Sequence, residues 1–105
     1  MTRRIIITPK ADQDIDNLFT YIAQDNLDAA IRFFDSARIT FAQLARTPGI
    51  GSICEVKNSR LQGLRKWAVK GFEKHLIFYS YSDEYMEVLR VLHGVRDIPN
   101  ILDHE

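Results

Sequence analysis

Two adjoining segments near the C-terminus, "HLIFYSYS" and "MEVLRVLHG", are apolar on both sides, and this constrains the fold more than any other feature of the chain. Successive side chains of an extended strand point to opposite faces. Ile77, Tyr79 and Tyr81 therefore share one side of the first segment, and Leu76 and Phe78 the other. In the second, strict alternation puts Val88 and Leu92 beside Arg90, and Leu89 and Val91 beside His93. An antiparallel sheet with one face in water would alternate apolar with polar residues. This one needs cover on both faces.

The N-terminal half supplies the first cover. "RRIIIT" is a short β-branched strand, and Thr8 before Pro9 is a helix start, a hydroxyl cap followed by a residue whose missing N–H costs nothing there. Ala11, Ile15, Leu18, Phe19 and Ile22 recur at helical spacing, which predicts a helix running to about Gln24. Asn26 can cap a second helix, along which Leu27, Ala30, Phe34, Ala37, Phe41 and Leu44 form a seam in steps of three and four. So short a connection predicts an antiparallel helical hairpin. "RTPGIGS" ends it, because Pro48, Gly49 and Gly51 cannot continue a helix. Ile53 to Gln62 reads as a loop with some extended structure.

"GLRKWAVK" then opens a meander of three strands, separated by "GFEK" and "DEY". The expectation is one α+β domain over residues 1–105, in the order β-α-α-β-β-β, with a helical hairpin packed on an antiparallel sheet. The second face has two candidate covers. The tail carrying Ile98, Ile101 and Leu102 folds back over it, or a partner occupies it, and the two can coexist.

Composition narrows the function classes. Fourteen Lys plus Arg balance fourteen Asp plus Glu, with a pI near 6.8. A chain devoted to gripping phosphate backbones carries a basic excess. The single cysteine, Cys54, has no partner for an internal disulfide and points to a reducing cytoplasm. The apolar run after Arg3 and Arg4 is too short for a signal peptide, and no stretch is long enough to span a bilayer. His75, His93 and His104 lack a metal-ligand spacing, and there is no glycine-rich phosphate loop, so neither metal nor cofactor is expected.

The stretch from Gly63 to Asp97 resembles the C-terminal half of the ParE branch of the RelE/ParE toxin superfamily. It has Gly-Leu-Arg on the second strand, a tyrosine-rich third strand, and Arg-Val-Leu-His-Gly-x-Arg-Asp from Arg90 to Asp97. Ala11, Ile15, Tyr21, Ile22, Ala30, Phe33, Phe34, Leu44, Pro48 and Gly51 fall on the same pattern in the N-terminal half. The resemblance implies the toxin of a type II toxin–antitoxin system, neutralised by a cognate antitoxin whose flexible tail wraps along it in a hetero-oligomer. Operator DNA would be bound only through the antitoxin.

Two targets from different classes follow from the resemblance. ParE-like toxins poison DNA gyrase without an active site of their own. RelE-like toxins cut mRNA on the ribosome, which requires a base, an acid and a charge stabiliser around one phosphate. Here those roles would fall to Arg65, His93, Glu55 and Lys57. Neutral charge and the continuation Gly-Val-Arg-Asp-Ile-Pro after His93 favour gyrase, with Arg65, Trp67, Arg90, His93 and Arg96 as the expected partner-binding residues. A non-toxic interaction module is a third reading. Gly94 is expected to let the chain leave the strand in a conformation closed to larger residues, and Arg96 and Asp97 to pair with each other or with Arg65 and Arg90.

Overall fold

The computed structural model describes residues 2–105. β1 (Arg4–Ile7) leads into a helical hairpin of α1 (Pro9–Asp25) and α2 (Leu27–Arg46). A 3-10 turn at Pro48–Ile50, the short β2 (Ser52–Ile53) and a second such turn at Ser59–Leu61 lead to the meander of β3 (Arg65–Val69), β4 (Phe72–Tyr81) and β5 (Tyr85–His93). α3 (Ile98–Asp103) closes the chain.

Local chemistry sets the helix ends. The Thr8 hydroxyl accepts from the Ala11 N–H at 3.1 Å, with Pro9 in the first turn. Asn26 works in both directions: its N–H donates to the Ile22 carbonyl and ends α1, while its side-chain oxygen accepts from the Ala29 N–H and starts α2. One residue therefore makes the hairpin bend.

The strand order is β1-β5-β4-β3-β2. The expected meander is antiparallel throughout, and β1 adds a parallel pair with β5, so the whole sheet is mixed. A long crossover such as the helical hairpin permits this parallel pairing, which a tight turn could not. The "GFEK" separator proves shorter than expected. Gly71, at φ +79°, makes the turn, and Phe72 already belongs to β4.

α1 and α2 cover one face. Phe33, Ala37, Phe41 and Leu44 of α2 meet Ile77, Tyr79, Met86, Val88 and Val91 of the sheet, all buried. The expected seam is corrected at two places: Leu27 and Phe34 are exposed, and Phe33 is fully buried in their stead. A helix lying on a sheet turns a broad stripe downward, and the narrower seam of a helix pair does not describe it. Phe34 instead meets Phe19 of α1 edge to face, at 6.4 Å between centroids.

β5 also departs from strict alternation. Phe78 pairs with Arg90 while Tyr79 pairs with Val88, so Leu89 is an extra residue in a bulge. The bulge flips the pattern beyond it. Val88 and Val91 face the helices together, while Leu89 joins Leu92 on the other side.

That other side is closed by the tail. Leu102 of α3 is fully buried with Leu64, Phe78 and Leu92, and Ile98, Ile101, Cys54 and Val56 pack around them. Of the two candidate covers, the folded-back tail is present. Gly94 is not at positive φ, and a Cβ there would only reach ordinary contact, 3.5 Å from the Lys74 carbonyl. The expected conformational need for glycine is therefore corrected. Among the described residues no helix is long and apolar enough to cross a membrane.

Candidate functional site

The expected site residues fall into separate clusters. The first surrounds Arg65, whose β3 position places it beside both Ile53 and Tyr79. Its guanidinium donates to the Gly51 carbonyl at 2.6 Å and approaches the Gly49 carbonyl at 3.4 Å. The buried Tyr79 hydroxyl donates to the Pro48 carbonyl at 2.6 Å and accepts from the Gly51 N–H at 3.0 Å. Burial pushes this phenol's pKa up. A Cβ on Gly51 would lie 2.2 Å from the same hydroxyl, so only glycine fits. Arg65 and Tyr79 thus fasten the Pro48–Ile50 turn to the sheet.

Tyr81 adds an exposed surface to this cluster. Its ring has the Arg65 guanidinium at 5.9 Å and the Arg3 guanidinium at 5.4 Å. Arg3 is further held by a bond from its Nε to the Ser82 carbonyl. Sequence reasoning singled out Arg65 and missed Arg3, because the two are brought together only by the pairing of β1 with β5.

The second cluster lies at the opposite end of the sheet. His93 of β5 sits across from His75 of β4, with ring centroids 5.0 Å apart. The Nδ1 of His93 accepts from the Val95 N–H at 3.1 Å, which leaves a neutral ring's proton on Nε2. His75 packs between Phe33 and Phe72, and burial followed by the charge of His93 holds its pKa below the usual range. Asn17, Tyr21 and Arg96 complete the recess around them, about 480 Å³ in volume. Arg96 and Asp97 are exposed and form none of the ion pairs found among the described residues, which corrects their expected pairing.

Tyr79 and His75, the β4 partners of Arg65 and His93, are four residues apart. At roughly 3.3 Å per strand residue this is about 13 Å along the sheet. Arg65 and His93 therefore do not converge on one phosphate. Glu55 and Lys57 are exposed on the loop after β2, and Trp67 is half-buried against the helix-side core. Among the described residues no group of His, Cys, Asp and Glu is placed to hold a metal ion.

Arg90 takes a role other than the partner contact expected of it. Its guanidinium binds the Asp14 carboxylate of α1 at 2.7 and 2.9 Å, and also binds Glu105. The Asp14 carboxylate accepts as well from the Val91 N–H at 3.0 Å. The reason lies in the sheet: β1 ends at Ile7, so the edge of β5 beyond it lacks a strand neighbour. The Thr8 hydroxyl donates to the Leu89 carbonyl there, and Asp14 satisfies Val91. Bonds from Asp14, ahead of burial, hold Arg90 firmly protonated. Burial pushes the Glu105 carboxyl up, but bonds from Arg90 and Lys10 outweigh it and hold its pKa low. The sequence carried a signal for this network. Asp14 falls between Ala11 and Ile15 on the buried stripe of α1, where a carboxylate needs a cationic partner.

A mixed five-stranded sheet with a helical hairpin on one face and a tail helix on the other defines the RelE/ParE class of fold. The family described as "ParE toxin of type II toxin-antitoxin system, parDE" matches residues 5–98, and the chain belongs to that family. Comparison with curated protein sequences gives no match. Among solved structures, the chromosomal ParDE toxin–antitoxin system from P. aeruginosa is similar at a TM-score of 0.68 and 14% identity, over 88% of this chain and 96% of that one. The YoeB–YefM complex from Staphylococcus aureus is similar at a TM-score of 0.54 and 17% identity, over 89% and 98%. At these identities the likeness shows the fold.

Proposed function

We propose that this ParE-family toxin arrests growth by inhibiting DNA gyrase, and that a cognate antitoxin wrapping along it in a hetero-oligomer neutralises it. The observation that carries this reading is the separation of Arg65 from His93 along the sheet, with Arg65 already bonded to the Pro48–Gly51 segment. Acid–base cleavage of RNA needs those roles gathered around one phosphate. A gyrase inhibitor needs only a binding surface, and the exposed Tyr81 ring flanked by the half-buried Arg3 and Arg65 offers one, with Trp67 on the same strand as Arg65. Zero net charge suits a toxin that reaches operator DNA through its antitoxin. The reducing cytoplasm, where gyrase works, suits a chain with one free cysteine.

The test is induction of the chain alone in bacteria, with thymidine and amino-acid incorporation followed over the first minutes. Gyrase inhibition stops thymidine incorporation first. If amino-acid incorporation stops first, the RelE-like ribonuclease reading replaces it, and Arg65, His93, Glu55 and Lys57 become the catalytic candidates. Growth unaffected by the chain would make it a non-toxic interaction module.

A further inference from the structure

β1 is an edge strand of four residues, and its three isoleucines, Ile5, Ile6 and Ile7, are between 36% and 41% exposed. An edge with apolar side chains and free backbone groups is a template for strand pairing unless it is blunted. The hydrogen bonds fix which groups are free. Arg4 and Thr8 donate their N–H groups to Glu84 and Val88 on the β5 side. Alternation then turns the backbone groups of Arg3, Ile5 and Ile7 outward; the Arg3 N–H is bonded to the Ala45 carbonyl at the end of α2, so the open stretch of the edge is Ile5 to Ile7.

We infer that β1 is a self-association surface, pairing antiparallel with β1 of a second copy of this chain across a two-fold axis at Ile6. This inference is independent of the gyrase reading. With Ile6 opposite Ile6, each Ile5 lies opposite the partner copy's Ile7, and both residues of that pair have outward backbone groups. The register therefore closes four hydrogen bonds without breaking any bond to β5. Arg4 of each copy meets Thr8 of the other, so the basic N-terminal ends of the two strands stay apart.

The side chains agree with the backbone. Ile5 and Ile7 line a groove of about 650 Å³ with Ile39, Asp35 and Arg38 of α2. Ile39 is 58% exposed there. A two-fold perpendicular to the sheet sets α2 against the partner's α2, antiparallel, above the four isoleucines of the seam. Asp35 and Arg38 lie one turn apart on that helix and line the groove, so an axis passing level with the gap between them brings each carboxylate to the other's guanidinium. A patch with one acid and one base related in this way is complementary to itself, as an isologous contact requires.

Sedimentation velocity on the purified full chain over a concentration series tests the inference, with circular dichroism as the folding control. The expected result is a reversible monomer–dimer equilibrium. Asp35→Arg alone, or Arg38→Asp alone, places like charges across the axis and weakens the dimer at least about tenfold. The double variant with both exchanges restores it. Ile5→Pro removes one outward N–H donor and abolishes dimerisation while leaving the bonds to β5 intact. A chain that stays monomeric throughout overturns the inference and leaves the edge to an extended segment of another protein. A dimer indifferent to the charge exchanges and to Ile5→Pro overturns it as well.

Discussion

The two faces of this sheet are covered in different ways. On one, helices of 17 and 20 residues lay a continuous apolar stripe over Ile77, Tyr79, Met86, Val88 and Val91. On the other, a six-residue helix and the loop before β3 enclose a smaller core around Leu64, Phe78, Leu92 and Leu102. A helix that short has little stability of its own. Polar ties hold it: Asn58 and Arg60 donate to the carbonyl of Glu105, and the Glu105 side chain reaches Arg90 and Lys10. The first cover rests on buried area, and the second on a small core plus directed bonds. The second should therefore open first, in line with the general finding that regions with few buried apolar contacts open at lower free energy.

Arg90 is where the two covers meet, since it holds Asp14 of α1 with one part of its guanidinium and Glu105 of the tail with another. Arg90→Ala is expected to have the largest effect, about 3–5 kcal/mol in urea unfolding, because Asp14 would keep a buried charge without its partner. A loss below about 1 kcal/mol would mean that the faces are secured independently, by packing alone.

Leu102→Ala sharpens the contrast. Its truncation should cost about 2–5 kcal/mol, the usual range for a buried leucine. Hydrogen exchange should accelerate most at the amides of α3 and the loop before β3, with α1 and α2 still exchanging only through global unfolding. Uniform acceleration throughout the chain would show that the tail is part of a single cooperative unit and break the comparison.

The smallest expected effect concerns pH. The folded-state pKa of His75 lies below its ordinary value of 6.5, so the unfolded chain binds the proton better. His75 thus contributes stability that is present above about pH 6.5 and lost as pH falls. Glu105 has the same sign, with its contribution present above 4.5 and lost further down. Melting temperature should then fall in two stages on acidification, the helix face first and the tail face second. His75→Phe should flatten the upper stage and leave the lower one. An unchanged profile would remove His75 from the account.

Much of this arrangement was legible in the residues. The caps at Thr8 and Asn26, the breakers at Pro48 and Gly51 and the double-sided strands all act within a few positions of themselves, so their consequences appear in the local pattern. The bulge at Leu89 was not legible, because whether a strand carries an extra residue is decided by the register of its neighbour. The choice of Phe33 over Phe34 was likewise made by the sheet beneath α2. For the candidate site, Arg65 could be singled out by its place in Gly-Leu-Arg. Its bonds to the Pro48–Gly51 segment and its distance from His93 depend on strand pairing across the whole sheet.

The sequence by itself determined an α+β fold of this family with two sheet faces to bury, because periodicity and turn chemistry are properties of short segments. Only the tertiary structure decided that the tail closes the second face, that Arg90 turns inward, and that β1 presents an open edge. Those outcomes rest on which carboxylates and strand ends come together from distant positions, 47 apart for Asn58 and Glu105 and 76 apart for Asp14 and Arg90, and that information is carried by packing.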